Sequence, residues 1–409
     1  MADSLAARGS SRPATAKGPL AVLFFLHGGA MAAYTVPLAN VLKAHGIGDS
    51  AITLAFCTGG VAAFISPMMA GSLADRRVPP ERLLAWLCLA SAAALVLTFQ
   101  AIGGQWGTGW VLGSMMTYAL CAAPGFGLLT SMVLSRLTDA RREFGPLRAM
   151  ATGGWMAASY AVALLQFDFS PHAGYLAAAI FAAEAGFCFT LRPTYPLDSR
   201  EPRRWRDFFG WEALRLLRHP DHRIIFLTSA LFSALLSTFY RYSSAQLADL
   251  GNAHPSRTMG HAQFWEALAM LGLGWLLTRF RLKWVLLAGL LLGTFRLALM
   301  TSNSLGWLAF SIALHGPVFV LFYPTSQIYL EQRVDHRLRA QSQALLSLVN
   351  SGLGNLSGYL LITVWHHACT SPAGLVDWPR FWTPLTLATA ALSLFFLTTY
   401  SGHQRPDHS

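Results

Sequence analysis

Five polar or aromatic side chains inside otherwise apolar sequence are the first residues with chemistry to offer. Arg148, Thr152 and Trp155 are spaced i, i+4 and i+7, so a helix over this segment carries all three on one face. That face joins a cation, a hydroxyl and an aromatic plate. Gln263 and Glu266, spaced i and i+3, put an amide and a carboxyl together on a second helix. A third presents His315 and Phe319 at i and i+4, with Tyr323 one turn further on, and a fourth carries Ser237 and Tyr240 beside Arg241. An apolar plane for stacking, ringed by a few placed donors and acceptors, suits a planar solute with hydrogen-bonding edges. No catalytic constellation competes with that reading. Walker, His-Glu-x-x-His, Cys-x-x-Cys and Gly-x-Ser-x-Gly patterns are absent, and His366-His367 is too small a group to argue a metal site. The expectation is a protein that is not an enzyme and needs neither cofactor nor metal.

The elements that position these residues follow from composition. Of 409 residues, 54% are hydrophobic and 12% charged, where a soluble domain carries about 25% charged. The mean hydropathy of +0.43 averages over the whole chain, so apolar sequence recurs from end to end. A soluble enzyme, a disordered protein and a single-anchor receptor are excluded. A membrane-spanning helix needs about 20 mostly apolar residues. Twelve such stretches are present, at 19–42, 51–73, 83–103, 107–134, 146–166, 173–192, 223–245, 258–279, 283–301, 304–330, 337–365 and 381–401. The first is too long for the core of a signal peptide and reads as a retained helix. Cys57, Cys88, Cys121 and Cys188 lie inside these stretches, which leaves Cys369 without a disulfide partner.

The net charge of +11 finds its explanation in topology rather than in nucleic acid. Alternate connections between stretches collect almost all the Lys and Arg, whereas the intervening ones hold only Lys43, Arg257 and Arg380. Arg148, Arg241 and Arg296 fall within apolar stretches. Cationic connections stay cytoplasmic, so both termini are expected inside the cell. The longest connection, 193–222, separates six stretches from six and mixes Trp205, Phe208, Phe209, Trp211, Leu214, Leu216 and Leu217 with arginines. A short amphipathic helix at the cytoplasmic interface fits that mixture. The expected fold is thus an all-α integral membrane protein of 12 transmembrane helices. It divides into a six-helix bundle at 1–192, a linker at 193–222 and a second six-helix bundle at 223–409.

That outline, with the connection Gly71-Ser72-Leu73-Ala74-Asp75-Arg76-Arg77 after the second stretch, resembles the major facilitator superfamily. The resemblance assigns Gly71, Asp75 and Arg76 to a loop that helps hold the cytoplasmic gate closed. Longer segments are similar to bacterial nucleoside:proton symporters. They are Pro146 to Trp155, Gln263-Phe264-Trp265-Glu266, Phe295 to Leu299, the run from Leu330-Glu331 through Arg339, Gln343, Asn350, Gly352 and Gly354, and Asp377-Trp378. In that family the positions matching Arg148, Thr152, Trp155, Gln263, Glu266 and Phe319 line the central cavity. The resemblance implies a bacterial inner-membrane protein, monomeric, that imports nucleosides with protons by alternating access. Its partners would be the solute, the proton and the lipid bilayer, with no nucleic acid. One departure stands out: the symporters have an aspartate immediately after the position of Phe319, and this chain has Val320. If that aspartate carries the proton in the family, this chain couples through Glu266 or does not couple at all.

Each assignment has a plainer rival. An ionisable residue at mid-bilayer costs several kcal/mol and needs a reason, but the reason can be structural. Arg148 can snorkel to headgroups, Glu266 can form an ion pair with Arg296 or Arg148, and Gln263 can bond a neighbouring helix. Trp155 and Phe319 can be packing. His27 is either a cavity residue or the cap of a bend near Gly28-Gly29, Glu184 reads as a polar contact on a peripheral helix, and the glycines of 352–358 as small residues for close helix packing. At the level of function, a carrier for another small solute (sugar uptake or drug efflux) and a non-transporting membrane sensor or scaffold are the alternatives.

Overall fold

The computed structural model describes residues 17–76, 78–134, 136, 140–193, 211–334 and 339–402, and within them the protein is helical apart from one isolated bridge between Thr370 and Val376. The first part of the chain forms α1 (Lys17–Thr35), α2 (Leu38–Ala44), α3 (Asp49–Arg76), α4 (Pro80–Gly103), α5 (Thr108–Ala122), α6 (Gly125–Leu134), α7 (Ala140–Leu164) and α8 (His172–Thr190). The second forms α9 (Pro220–Leu236), α10 (Ser244–Asp249), α11 (Pro255–Arg279), α12 (Leu282–Met300), α13 (Leu305–Arg333), α14 (Arg339–Ser347), α15 (Leu356–Ala368) and α16 (Trp378–Thr399).

Among the described residues, ten helical segments are long and apolar enough to cross a membrane. The two long helices outside that set are α7 and α11, each of 25 residues. They are as long as the others and more polar, because they carry Arg148, Thr152, Gln263 and Glu266. Large apolar side chains such as Leu164, Leu271, Leu361 and Val364 point outward, as a bilayer solvent requires.

Several of the apolar stretches are broken rather than straight. Pro37 separates α1 from α2, and Pro124 separates α5 from α6, since proline removes a ladder hydrogen bond and clashes with the preceding turn. A π-turn at Phe239–Ser243 joins α9 to α10, and a longer one at Leu348–Asn355 joins α14 to α15. Such turns gather at functional positions because they re-aim successive side chains. Here the first aims Tyr240 and Arg241 into different surroundings, described below.

Within the first part, α1 packs on α7 and α8, and α4 on α5 and α8. Within the second, α13 packs on α11 and α12, and α12 on α16. The parts join along seams of α7 against α11, of α3 against α15 and the Leu348–Asn355 turn, and of α2 against α10. The α1–α7 contact is backbone to backbone, because a Cβ on Gly28 would lie 2.1 Å from the carbonyl oxygen of Ala151. The largest apolar cluster crosses the seam, uniting Val41 of α2 and Ile52 of α3 with Tyr242, Phe381 and Trp382. Of the linker, residues 194–210 lie outside the described residues; Trp211–Arg218 is a short 3-10 helix whose Leu216 and Leu217 pack on the apolar core of the second part.

Candidate functional site

An open cavity of about 390 Å³ lies beside the α7–α11 seam, within the range of small-molecule sites. Arg148, Thr152, Trp155, Ser237, Tyr240, Gln263, Glu266, His315 and Phe319 all line it, so every residue singled out by helical spacing as a possible ligand reaches one space. The two faces meet directly: Thr152 Oγ1 donates to Glu266 Oε1 at 3.2 Å. Arg148 interacts electrostatically with the same carboxylate, and its guanidinium lies 4.7 Å from the ring centroid of Phe126 and 5.9 Å from that of Phe24. Arg148 therefore faces the cavity rather than reaching for headgroups.

Aromatic rings line the same cavity. The Trp155 and Tyr240 rings are 5.6 Å apart, and Phe319 and Tyr323 are 5.1 Å apart. His315 stacks flat on Phe239, centroids 3.6 Å apart and planes at 5°, and the guanidinium of Arg296 lies 4.8 Å from the same phenyl ring. The imidazole Nδ1 has no hydrogen-bond partner among the described residues. The Tyr323 hydroxyl is paired with Ser233 Oγ at 2.9 Å. Asn350 and Asn355, from the π-turn before α15, add amides that spacing arguments did not single out as ligands, and Asn350 Oδ1 likewise has no protein partner. A π-turn has no period-3.6 signature, so nothing in the pattern could aim them. At Glu266 the α11 and α13 backbones approach closely, since a Cβ on Gly316 of α13 would lie 2.2 Å from the Glu266 backbone nitrogen.

Other residues go elsewhere. Val320 is buried among Leu273 and Val285 and is not part of the cavity wall. Arg241, read from the sequence as flanking the cavity, instead turns to the end of the molecule where α3 begins: it donates to the Asp49 carbonyl and carboxylate and to Thr53 Oγ1. The π-turn is the reason, since it sends Tyr240 inward and Arg241 endward. Of the two arginines read as possible ion-pair partners of Glu266, Arg148 faces its carboxylate, whereas Arg296 does not pair with it among the described residues; the Arg296 Nε donates to the Ser311 carbonyl at 3.2 Å. His27 is neither a cavity wall nor a bend cap. Its Nδ1 lies 3.0 Å from the carboxylate of Glu184, the polar contact read for that residue; both side chains are buried, with Cys88 completing a tight group. The side chains of Gly71, Asp75 and Arg76, expected at the gate, lie outside the described residues, as does the backbone of Arg77.

A cavity with a stacking wall, a charge-bearing carboxyl and no nucleophile–base pair is a place to hold a solute, and known proteins of this shape do so. The chain is similar over 94% of its length to a solved mutant of the nucleoside transporter NupG, with a TM-score of 0.86 at 21% identity and 100% of that chain covered. It is 29% identical over 395 residues to the putative nucleoside transporter YegT of Escherichia coli, covering 92% of each chain. It is 24% identical to the xanthosine permease of the same organism, covering 87% of this chain and 88% of the relative. The model of the nucleoside H+ symporter family matches residues 15–405, and the chain belongs to that family of transporters.

Proposed function

We propose that the protein imports nucleosides together with protons, by alternating access of the central cavity. The observation that carries this reading is the single cavity in which the Trp155–Tyr240 wall stands beside Thr152, Gln263, Glu266 and Arg148. A nucleoside needs this combination: the base stacks on an aromatic plane while amide, hydroxyl and carboxyl groups satisfy its edges and the ribose. Trp155, Tyr240 and Phe319 contribute the plane. Thr152, Ser237, Gln263 and His315 supply hydrogen bonds, and Arg148 complements the carboxylate. Glu266 is the proton-coupling group, since Val320 leaves no carboxyl at the neighbouring position on α13.

The same reading takes α7 and α11 as membrane spans alongside the ten apolar ones. At about 1.5 Å per residue, 25-residue helices are long enough to cross, and polarity is tolerated where it faces an interior cavity. Twelve spans then form two six-helix bundles, 1–192 and 223–409, joined by the 193–222 linker, in a bacterial inner membrane with both termini cytoplasmic. The distribution of Lys and Arg supports that orientation. Gly71, Asp75 and Arg76 act at the cytoplasmic gate, and the working unit is a monomer. The test is uptake of labelled uridine, adenosine and a panel of sugars into vesicles holding the purified protein, with and without an inward proton gradient. Gradient-stimulated uptake of nucleosides and not sugars is expected. Sugar uptake alone, or no gradient effect, refutes the reading.

A further inference from the structure

We propose that Asp49, His366 and His367 form a proton-binding site at the outer end of the molecule, and that loading it tightens the contact between the two halves. The proposal rests on the two-half carrier reading above and adds to it a site remote from the central cavity.

The residues come from opposite sides of the seam. Asp49 opens α3, whereas His366 and His367 close α15 and Arg241 sits in the π-turn after α9. Arg241 Nη2 donates to Asp49 Oδ1 at 2.5 Å and to the Asp49 carbonyl at 3.0 Å. On the other carboxylate oxygen, Oδ2, converge His366 Nδ1 at 3.3 Å and His367 Nε2 at 3.4 Å. Around them, further seam contacts mark this end as a clasp: Asn40 Nδ2 donates to Ser244 Oγ at 3.0 Å, Lys43 pairs with Asp249 at 3.2 Å, and the hydroxyls of Thr53 and Thr363 meet at 2.9 Å.

An Asp–Arg pair with its backbone bond would suffice to hold the seam. Two imidazoles directed at the second oxygen are surplus to that purpose. Asp49 Oδ2 and His366 Nδ1 are moreover buried without a hydrogen bond of good geometry, so neutral rings gain little from the contact. A protonated ring gains a charge attraction at the same distance. Imidazole is the side chain whose charge ordinarily changes between pH 5 and 8. The proton has a way in, because the His367 side chain is 49% exposed, while His366 is shielded at 11%.

The other charged and titratable groups facing the cluster do not supply this switch. Lys43 of α2 and Asp249 of α10 pair with each other, Arg241 bonds Asp49, and Tyr242, whose ring lies 4.9 Å from that of His366, bonds Thr363. At the start of α16, which packs on His366 through Trp378 and Phe381, Asp377 accepts from the Arg380 backbone and the Arg380 guanidinium lies over Trp365. Acid on the outer side therefore closes the clasp over Asp49, and its loss allows the outer end to part. For a proton-driven importer this is the useful sign, since closure follows loading from the acidic side.

Cys57 is a built-in reporter. It lies two turns beyond Asp49 on the face shared with Thr53, and is 5% exposed behind the closed clasp. In right-side-out vesicles of a protein keeping Cys57 as its sole cysteine, labelling by a membrane-impermeant maleimide reads the opening of this end. Rates are normalised to those of the unfolded protein at each pH, which removes the thiol's own titration. Labelling at about pH 8 should exceed that at about pH 5.5 by about three- to tenfold, the range that two partly exposed ion pairs can carry. The His366→Gln/His367→Gln variant should lose the difference. Asp49→Asn, which removes the shared anion and keeps both rings, should label fast at both pH values and serves if the double variant fails to fold. Equal rates in the parent, or a pH dependence that survives in either variant, overturns the proposal. The labelling needs neither solute nor gradient, so a failed nucleoside uptake assay would reject the transport reading and leave this result standing.

Discussion

Glu266→Gln separates binding from coupling, and the geometry sets how far. Glutamine keeps an oxygen to accept from Thr152, now at 3.2 Å from Oε1. It fits the same volume, on a stretch of α11 that packs closely on α13 at Gly316. What disappears is the charge facing Arg148. The surplus of a charge-assisted contact over a neutral one is about 1 kcal/mol, so solute affinity should fall only about fivefold. Coupling is a different matter. With one proton per solute, a gradient of one pH unit carries about 1.4 kcal/mol and sustains about tenfold accumulation. An amide cannot take up and release that proton, so accumulation should fall to simple equilibration. The assay is reconstituted protein in liposomes: entrance counterflow of labelled nucleoside without a gradient, then uptake with one. Counterflow that persists beside lost accumulation is expected. A Gln variant that still concentrates solute refutes the coupling role. A folded variant that loses counterflow altogether makes Glu266 a ligand only.

Trp155→Ala should weaken nucleoside binding by about 1–3 kcal/mol, the worth of one base–aromatic stack, as read by scintillation proximity or calorimetry; unchanged affinity would make the ring a packing element. Gly316→Ala places a methyl 2.2 Å from the Glu266 backbone nitrogen, so α11 and α13 must separate. A destabilisation of about 1–3 kcal/mol is expected, seen as a lower melting temperature in detergent together with weaker solute binding. Glu184→Leu strands His27 Nδ1 in a site where both residues are at most 1% exposed. About 1–3 kcal/mol of stability should be lost, with solute affinity in the surviving folded fraction unchanged, because the pair does not line the cavity.

Much of this molecule is written in patterns of short range. A bilayer demands runs of about 20 apolar residues, and those runs are visible one residue at a time. Helical periodicity turns spacing into a face, which is why Arg148, Thr152 and Trp155, and Gln263 with Glu266, could be grouped before any fold was known, and why they share a cavity. The polarity that marks α7 and α11 as site helices is the same property that makes them the least membrane-like of the long helices. The tertiary structure decided what periodicity cannot carry. Two π-turns break the 3.6-residue repeat, and so sent Arg241 away from the cavity while bringing Asn350 and Asn355 into it. Partners far apart along the chain met only when helices packed: His27 with Glu184, and Asp49 with Arg241, His366 and His367. A histidine or an aspartate at a helix end looks the same in sequence whether it meets water or another charge. Which of these it meets is set by the packing of helices distant in the chain, and that packing made a clasp of residues that spacing alone would have left as surface.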